Sequence, residues 1–274
     1  MDTLLVAIDF SAASRTASLY AASLAKAARA KLILFHAYML PAPVSEVPYV
    51  MVSVDEMQIE NEKLVRSEAE VLHRNFDIEV EGIVQIGLPS DEITSLAAER
   101  NAALIVTGMR GAGGIDKLIG STTASVVRKS KTPVLVVPHT TIFSPVEQIV
   151  YASDFSYTSS GDLFKPLTDL AGLFQSTIHI VHIRRMENNE KKEKEELAKN
   201  VISSLLGNIR HEFSVIADDS IMHGINGYIE QHNVQMLVMV AHKHSFFERL
   251  FSKIHTTAMT YETKIPLLVL QDKI

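Results

Sequence analysis

The apolar positions of the chain fall into short continuous runs separated by segments of helical periodicity. Residues 4–8 form the first apolar run, and residues 14–30 are rich in alanine, with leucines at helical spacing. These patterns predict a strand followed by a helix, with Ser11 or Ser14 as the helix cap. The next apolar run, at residues 31–39, predicts a second strand. Residues 40–53 contain several prolines and are therefore predicted to form a loop.

The same alternation continues through the rest of the first half. Residues 54–76 return to helical spacing, and residues 78–86 alternate like a strand. Residues 89–101 predict a helix with Ser90 as its N-cap. A strand, a helix and a last strand are predicted at 103–107, 121–129 and 133–137. Strands that alternate with helices predict a parallel sheet covered on both faces, which right-handed crossovers make a doubly wound α/β fold.

The second half of the chain repeats the first. An Asp-Phe-Ser triplet follows an apolar run at Asp9 and again at Asp154. The strand-ending histidines His36 and His182 also match, and we expect them to be structural hydrogen-bond partners rather than catalysts. An internal repeat of this length indicates two like domains. The predicted domains are residues 1–140 and 146–274.

A segment that contains several glycines also occurs twice, and its glycines are present in the first copy but replaced in the second. Residues 104–138 and 237–271 have the same length and align without a gap. In that alignment Gly108, Gly111 and Gly120 face Ala241, His244 and Lys253. We therefore predict a phosphate-binding segment in the first copy and its loss in the second.

Composition and charge narrow the class of protein. The chain has 274 residues, of which 47% are hydrophobic and 21% charged, as expected of a globular chain with two cores. The net charge of −6 argues against nucleic-acid binding, which rests on a basic face. The absence of cysteine excludes disulfides, thiol catalysis and thiolate metal sites. Neither a leader segment nor an apolar run of about 18 residues is evident, so we expect a cytoplasmic protein without a membrane partner.

The glycines of the first copy have the chemistry that a phosphate group requires. Without a Cβ atom, Gly108 and Gly111 let backbone N–H groups approach phosphate oxygens. The helix that opens at Gly120 offers N–H groups and the positive end of its dipole to an anion, and the hydroxyls of Ser121 and Thr122 add donors. No Walker pattern and no Gly-x-Gly-x-x-Gly occurs, so P-loop hydrolysis and dinucleotide binding lack support.

With these motifs the chain resembles the universal stress protein family in its tandem two-domain form. The family signature is Gly, two residues, Gly, nine residues, Gly and then Ser or Thr. Gly108 and Gly111 match its first part and Gly120 with Ser121 its second, although the spacer here has eight residues. The resemblance implies a five-stranded parallel sheet in each domain, of the adenine nucleotide alpha hydrolase type. It also implies adenine-nucleotide binding and pairing of domains through their last strands.

The resemblance also implies how a ligand would lie. The family places the adenine ring at the end of the second strand, here Ala37 and Tyr38. Asp9 is better placed for the base or ribose than for phosphate, which it would repel unless a Mg²⁺ ion intervenes. Arg110 either supplements the phosphate contacts or faces solvent. The implied ligand is ATP or another adenine nucleotide, with or without Mg²⁺.

Two further uses of the altered second copy remain open. One is a metal site formed by histidines, and the other is an anion site of a different shape. The candidate metal ligands are His242, His244 and His255. The candidate anion-binding residues are Lys243, His244, Arg249 and Lys253.

Three classes of function are compatible with this sequence. The first is a regulatory nucleotide-binding protein of the stress response with little or no turnover. The second is a slow ATPase or autophosphorylating enzyme that uses Ser121 or Thr122, and the third is a nucleotide-free module that binds a protein partner. No set of nucleophile, base and orienting residue accompanies those hydroxyls, which favours the first class.

The two last strands predict how the domains assemble. Residues 133–137 and 265–270 are apolar enough to form sheet edges that need covering. The short linker makes their encounter intramolecular, so we expect the two domains to pair within one chain as a pseudo-dimer. Any homodimer would then use a different surface, and the protein partners are not identified by the sequence.

Overall fold

The computed structural model describes residues 1–40, 53–109, 120–155, 161–184, 192–241 and 264–272. The first half contains β1 (Thr3–Ala7), α1 (Ala12–Ala28), β2 (Lys31–Tyr38), α2 (Val54–Phe76), β3 (Val80–Ile86), α3 (Pro89–Glu99), β4 (Leu104–Met109), α4 (Ser121–Lys129) and β5 (Val134–Pro138). The second half contains β6 (Gln148–Ala152), α5 (Gly161–Phe174), β7 (Thr177–Arg184), α6 (Lys192–Leu206), β8 (His211–Ala217), α7 (Ile221–Gln231), β9 (Met236–Ala241) and β10 (Leu267–Gln271).

One continuous sheet of ten strands runs through the molecule in the order β3-β2-β1-β4-β5-β10-β9-β6-β7-β8. All neighbouring strands within a half are parallel. Each half therefore has a five-stranded doubly wound topology whose winding reverses beside its first strand, between β1 and β4 or between β6 and β9. The fold class predicted from the sequence is confirmed.

Helices cover both faces of the sheet. Strand residues such as Leu4 and Val6 belong to a core layer shared with α1, α2, α5 and α6. Their neighbours Leu5 and Ile33 belong to the opposite layer, shared with α3, α4 and α7. This alternation follows from the two-residue period of side chains along a strand. None of the described helices is long and apolar enough to cross a bilayer.

The two halves join through antiparallel pairing of their last strands, β5 and β10. Val136 lies opposite Leu267, Leu135 opposite Leu268, and Val134 opposite Val269. All six residues are fully buried, so burial as well as strand pairing holds the junction. The intrachain pseudo-dimer is confirmed, whereas the predicted boundaries of the domains remain a prediction.

Helix limits agree closely with the sequence pattern, with one exception at α3. The helices predicted at 54–76 and 121–129 are α2 and α4 with those same limits, and Ser11 caps α1 by accepting a hydrogen bond from the backbone N–H of Ser14. The prediction that Ser90 caps α3 is wrong, because the cap is Leu88 and Pro89 occupies the first helical position. Proline suits that position because its φ is already helical and its missing N–H is not needed there.

The gapless alignment of the two glycine segments is wrong by one residue in β9. The Asp-Phe-Ser triplets that follow β1 and β6 show which residues of these two strands are equivalent. Because β1 pairs with β4 and β6 pairs with β9, Val106 is then equivalent to Val238. Gly108 therefore corresponds to Val240 and not to Ala241. The last strands keep the predicted match, so the second half has one more residue between these strands. A strand that is apolar on both faces gives no signal that fixes such a register.

Candidate functional site

A cavity of about 500 Å³ opens at the carboxyl ends of β1, β2 and β4. It lies at the reversal of winding between β1 and β4, which is where open α/β sheets bind ligands. Its volume is within the range of small-molecule sites. The lining residues come from strand ends and from the starts of α1, α3 and α4: Ala7, Ile8, Asp9, Ser11, Ala13, Ser14, Phe35, Ala37, Pro89, Ile93, Thr107, Gly108, Gly120, Ser121, Thr122 and Thr123.

A tight turn between β1 and α1 holds Asp9 at the mouth of this cavity. The side-chain Oδ1 atom of Asp9 accepts a hydrogen bond from the backbone N–H of Ser11 at 3.0 Å. The backbone N–H of Asp9 donates to the Oγ atom of Ser14 at 3.3 Å. Asp9 is exposed, and it is the acidic residue among the described lining residues. Its carboxylate therefore faces solvent at the cavity entrance, in a fixed position.

The histidine near the end of the second strand of each half forms a structural hydrogen bond, as expected. The ring Nδ1 atom of His36 lies 2.9 Å from the carbonyl oxygen of the residue after β1, and that of His182 lies 3.0 Å from the corresponding carbonyl after β6. Phe10 and Phe155, each with a left-handed backbone (φ 60° and 53°), pack on these rings at 4.8 and 4.7 Å. The phenylalanines of the two Asp-Phe-Ser triplets thus have the same backbone conformation and the same ring contact in both halves.

Gly108 is required by packing. A Cβ atom added to it would lie 2.5 Å from the carbonyl oxygen of Ala13, a distance at which the start of α1 would have to move. The hydroxyl of Thr123 donates a hydrogen bond to the carbonyl oxygen of Gly108 at 3.2 Å. This glycine therefore lets α1 approach β4 closely, a role that the sequence did not predict for it.

Gly120, in contrast, has open space around it. Nothing lies within 4 Å of an added Cβ atom, and its φ of −56° and ψ of 151° suit any residue. The first backbone N–H bonded within α4 is that of Ala124, which donates to the carbonyl oxygen of Gly120 at 2.9 Å. The N–H groups of residues 121–123 have no partner among the described residues. The start of α4 therefore presents N–H donors at the cavity that no described residue occupies, together with the positive end of the helix dipole.

Thr107 is a lining residue that the sequence analysis missed. It is the fourth residue of β4 and is 3% exposed. Its Oγ1 atom is buried and has no hydrogen-bond partner in the part of the chain that the structure describes. Because a buried hydroxyl without a partner is costly, such a group calls for a physical explanation. The only signal in the sequence is a hydroxyl residue inside an otherwise apolar strand.

The two residues predicted to bind adenine, Ala37 and Tyr38, have their side chains on opposite faces of the sheet. Ala37 lines the cavity together with Phe35, and both Ala37 and Tyr38 lie within β2 rather than after it. The hydroxyl of Tyr38 donates to the Oε1 atom of Gln58 at 3.0 Å, and its ring stacks on His36. The side chain of Tyr38 thus contacts the α2 side and is not part of the cavity lining.

The helices that flank the cavity are tied together on the surface. The Nζ atom of Lys129 in α4 lies 2.5 Å from the Oδ1 atom of Asp91 in α3. The hydrogen bond from this ammonium group lowers the pKa of the Asp91 carboxyl. An exposed pair of this kind adds little stability, but it links the first turn of α3, which contributes Pro89 and Ile93 to the cavity, to the last residue of α4.

Several predicted residues lie outside the described ranges. These are Arg110, Gly111, His242, Lys243, His244, Arg249, Lys253 and His255. Within the described ranges, no group of three or more histidine, aspartate or glutamate side chains is arranged to hold a metal ion.

The second half has apolar side chains where the first half has its polar cavity floor. In the register set by the sheet, Val240 takes the place of Gly108 and Met239 takes the place of Thr107. Met239 is 2% exposed and belongs to the apolar core. The end of β9 therefore has neither the close helix approach that a glycine allows nor a hydroxyl.

The fold defines a tandem α/β protein with a cavity of small-molecule size in its first half. The model of the universal stress protein family matches residues 1–138. The chain therefore belongs to the universal stress protein family. It is 32% identical over 143 residues to universal stress protein YxiE of Bacillus subtilis, covering 49% of this chain and 97% of that protein.

Two other similarities agree with this assignment. Universal stress protein MJ0577 of Methanocaldococcus jannaschii is 32% identical over 93 residues, which are 31% of this chain and 57% of that protein; the match thus spans little more than half of its length. The crystal structure of a universal stress protein from Archaeoglobus fulgidus matches with a TM-score of 0.77 at 20% identity, over 98% of both chains. That similarity supports the fold of the whole chain, including its second half.

Proposed function

We propose that the first half of this protein binds an adenine nucleotide in the cavity at the ends of β1, β2 and β4. We further propose that the protein acts as a regulatory nucleotide-binding protein of the stress response, with little or no turnover. The observation that carries the proposal is the combination, in one cavity, of backbone N–H groups at the start of α4 and the hydroxyl of Thr107, none of which has a hydrogen-bond partner within the described ranges.

The start of α4 is where the phosphate groups would bind. The N–H groups of residues 121–123, the two hydroxyls of Ser121 and Thr122 and the helix dipole all favour an anion there. Hydrogen bonds to a charged group contribute about 1.5–3 kcal/mol each. Three or four of them support an affinity of roughly micromolar after the costs of association.

The apolar side of the cavity suits the base. Phe35, Ala37 and Ile93 line this side, and a planar ring buries its faces well against such side chains. Asp9, held at the mouth by its turn, is placed for the base or the ribose. If phosphate groups come near its carboxylate, a Mg²⁺ ion between them would remove the repulsion.

The chemistry of the lining favours binding over hydrolysis. Among the described lining residues, Asp9 is the one with an acidic or basic side chain, and no histidine or glutamate accompanies the hydroxyls of Ser121 and Thr122. A nucleophilic hydroxyl needs an adjacent base to react. A slow ATPase or autokinase would therefore need a base that is not among the described lining residues.

Gly120→Val is the direct test of the proposal. The added side chain has open space, so the fold should survive, while its methyl groups would obstruct phosphate at the start of α4. We expect calorimetric titration with ATP, ADP and AMP to show a loss of affinity of about tenfold or more, equivalent to losing one charge-assisted hydrogen bond. Gly172→Val, at another glycine with open surroundings, is the matched control and should bind like the wild type.

The outcomes separate the three classes of function. Unchanged affinity in a folded Gly120→Val variant would contradict the proposed phosphate position. A wild-type protein that binds no nucleotide, and from which denaturation releases none, would instead indicate a partner-binding module. Release of phosphate from bound ATP over hours, lost in Ser121→Ala or Thr122→Val, would indicate an enzyme. Gly108 is unsuitable for this test, because a Cβ atom there would collide with α1.

A further inference from the structure

The Thr107 hydroxyl is a polar group in an otherwise apolar part of the strand. Thr107 is 3% exposed, and its side chain is on the same face of β4 as Ile105 and Met109, both core residues. Its Oγ1 atom has no hydrogen-bond partner within the described ranges. A valine would fill the same volume without this cost, so the fold alone gives no reason for a threonine.

Thr107 lines the cavity, and its position in the sheet indicates which part of a bound nucleotide would lie closest to it. In the strand order β2-β1-β4, the apolar lining at Ala37 is on β2, whereas the start of α4 is tied to β4 by the hydrogen bond from Thr123 to Gly108. Neighbouring strands lie about 4.8 Å apart. A nucleotide with its base at β2 and its phosphates at α4 would therefore have its sugar over β1 and β4, where Thr107 lies.

We propose that the Thr107 hydroxyl hydrogen-bonds a sugar hydroxyl of the bound nucleotide and thereby selects ribose over deoxyribose. This inference rests on the proposed function and adds a specificity-determining residue to it. In the second half the corresponding residue is Met239, which has no such donor and is packed in the core. The hydroxyl thus occurs in the half whose strand end also has the cavity.

The proposal predicts opposite effects on stability and on binding. Because the hydroxyl has no partner within the described ranges, Thr107→Val should leave the melting temperature of the nucleotide-free protein unchanged or raise it. The same variant should bind ATP about three- to tenfold more weakly, which is the effect of losing one neutral hydrogen bond. A threonine with a purely structural role would lower stability when changed and leave affinity alone.

The sugar contact is tested with nucleotides that lack one hydroxyl. Wild-type protein should bind 2′-deoxy-ATP or 3′-deoxy-ATP about three- to tenfold more weakly than ATP. In Thr107→Val the discrimination against the same analogue should disappear, because the protein partner of that hydroxyl is gone. Isothermal titration of the wild-type protein and of Thr107→Val, each with ATP and with the deoxy analogue, measures the coupling free energy between the side chain and the sugar hydroxyl directly.

Two threonine-to-valine controls make the test specific. The Oγ1 atom of Thr141, in the segment between the two halves, is also buried without a partner among the described residues and does not line this cavity. Thr141→Val should therefore leave ATP affinity and sugar discrimination unchanged. Thr123→Val removes a hydroxyl that is bonded to Gly108 and should lower the melting temperature, which calibrates the effect of a hydroxyl that has a partner.

Each outcome either supports or overturns the sugar contact. Wild-type affinity of Thr107→Val for ATP, or discrimination against deoxyribose that persists in it, would overturn the contact while leaving the proposed function intact. A fall in melting temperature as large as that of Thr123→Val would show that the hydroxyl has a partner in the protein and would also overturn it. Failure of the wild-type protein to bind any nucleotide would overturn the proposed function and this contact together.

Discussion

The two halves of the sheet share one topology but differ at the carboxyl ends of their strands. In the first half Thr107 and Gly108 end β4 beside a cavity, whereas in the second half Met239 and Val240 occupy those positions. Both halves nevertheless keep the strand order and the contact between a phenylalanine after the first strand and a histidine in the second strand. The fold therefore does not depend on the cavity lining, which is free to change when a copy no longer needs a ligand.

At the amino ends of the strands the difference is reversed: there the second half is polar and the first half is apolar. His179 in β7 is 6% exposed and is surrounded by hydrogen-bonding groups. Its Nε2 atom lies 2.7 Å from the Oε1 atom of Gln148. Its Nδ1 atom lies 2.5 Å from the Oε1 atom of Glu212 and 3.0 Å from the hydroxyl of Tyr228. The second half thus has a partly buried polar network around His179 at the amino ends of its strands.

The first half is apolar at the corresponding place. Ile33 occupies the position in β2 that His179 occupies in β7. Leu96 occupies the position in α3 that Tyr228 occupies in α7. Both are nearly fully buried, at 1% and 2% exposed. The comparison shows that one topology accepts either an apolar core or a satisfied polar network at this site, provided that the whole group changes together.

The largest effect is expected at the junction that holds the halves together. Val136→Lys would place a charge in the fully buried pairing of β5 with β10. We expect the free energy of unfolding to fall by about 3–5 kcal/mol, because a buried unpaired charge is among the costliest changes. The measurement is chemical unfolding followed by circular dichroism.

The control for this change is the same substitution on an outer strand. Val215 in β8 is 38% exposed, so Val215→Lys should change stability by less than about 1 kcal/mol. If Val136→Lys were as stable as Val215→Lys, the halves would not be held by this junction.

A smaller effect is expected in the polar network. His179→Ile would leave Gln148, Glu212 and Tyr228 without a common partner, and we expect a loss of about 1–3 kcal/mol. His179→Ile with Tyr228→Leu, which reproduces the apolar pair of the first half, should lose less than the sum of the two single changes. A double-mutant cycle in urea measures this coupling, and strict additivity would show that the network does not act as a unit.

The sequence predicted the architecture well because the relevant signals are local and strong. Alanine-rich and amphipathic segments with charged faces located the helices, and proline-rich or polar breaks located the loops. The repeat of Asp9-Phe-Ser at Asp154 and the apolar last strands then predicted two paired copies, which the pairing of β5 with β10 confirms.

The site was less predictable because it depends on facts that one-dimensional patterns do not contain. Whether Tyr38 faces the cavity depends on the phase of β2, and whether Gly108 serves packing or binding depends on how closely α1 approaches. Thr107 became apparent only when the sheet showed its hydroxyl buried without a partner within the described ranges. The one-residue shift at Val240 was hidden because every residue of β9 is apolar.

The difference between the halves is tested most directly by counting the nucleotides bound per chain. Native mass spectrometry and calorimetric titration of the whole chain with ATP should both give one nucleotide per chain, since Met239 and Val240 replace the floor of the cavity in the second half. Gly120→Val should reduce that number towards zero. Two nucleotides per chain in the wild-type protein, with one retained in Gly120→Val, would contradict the account by placing a working site in the second half.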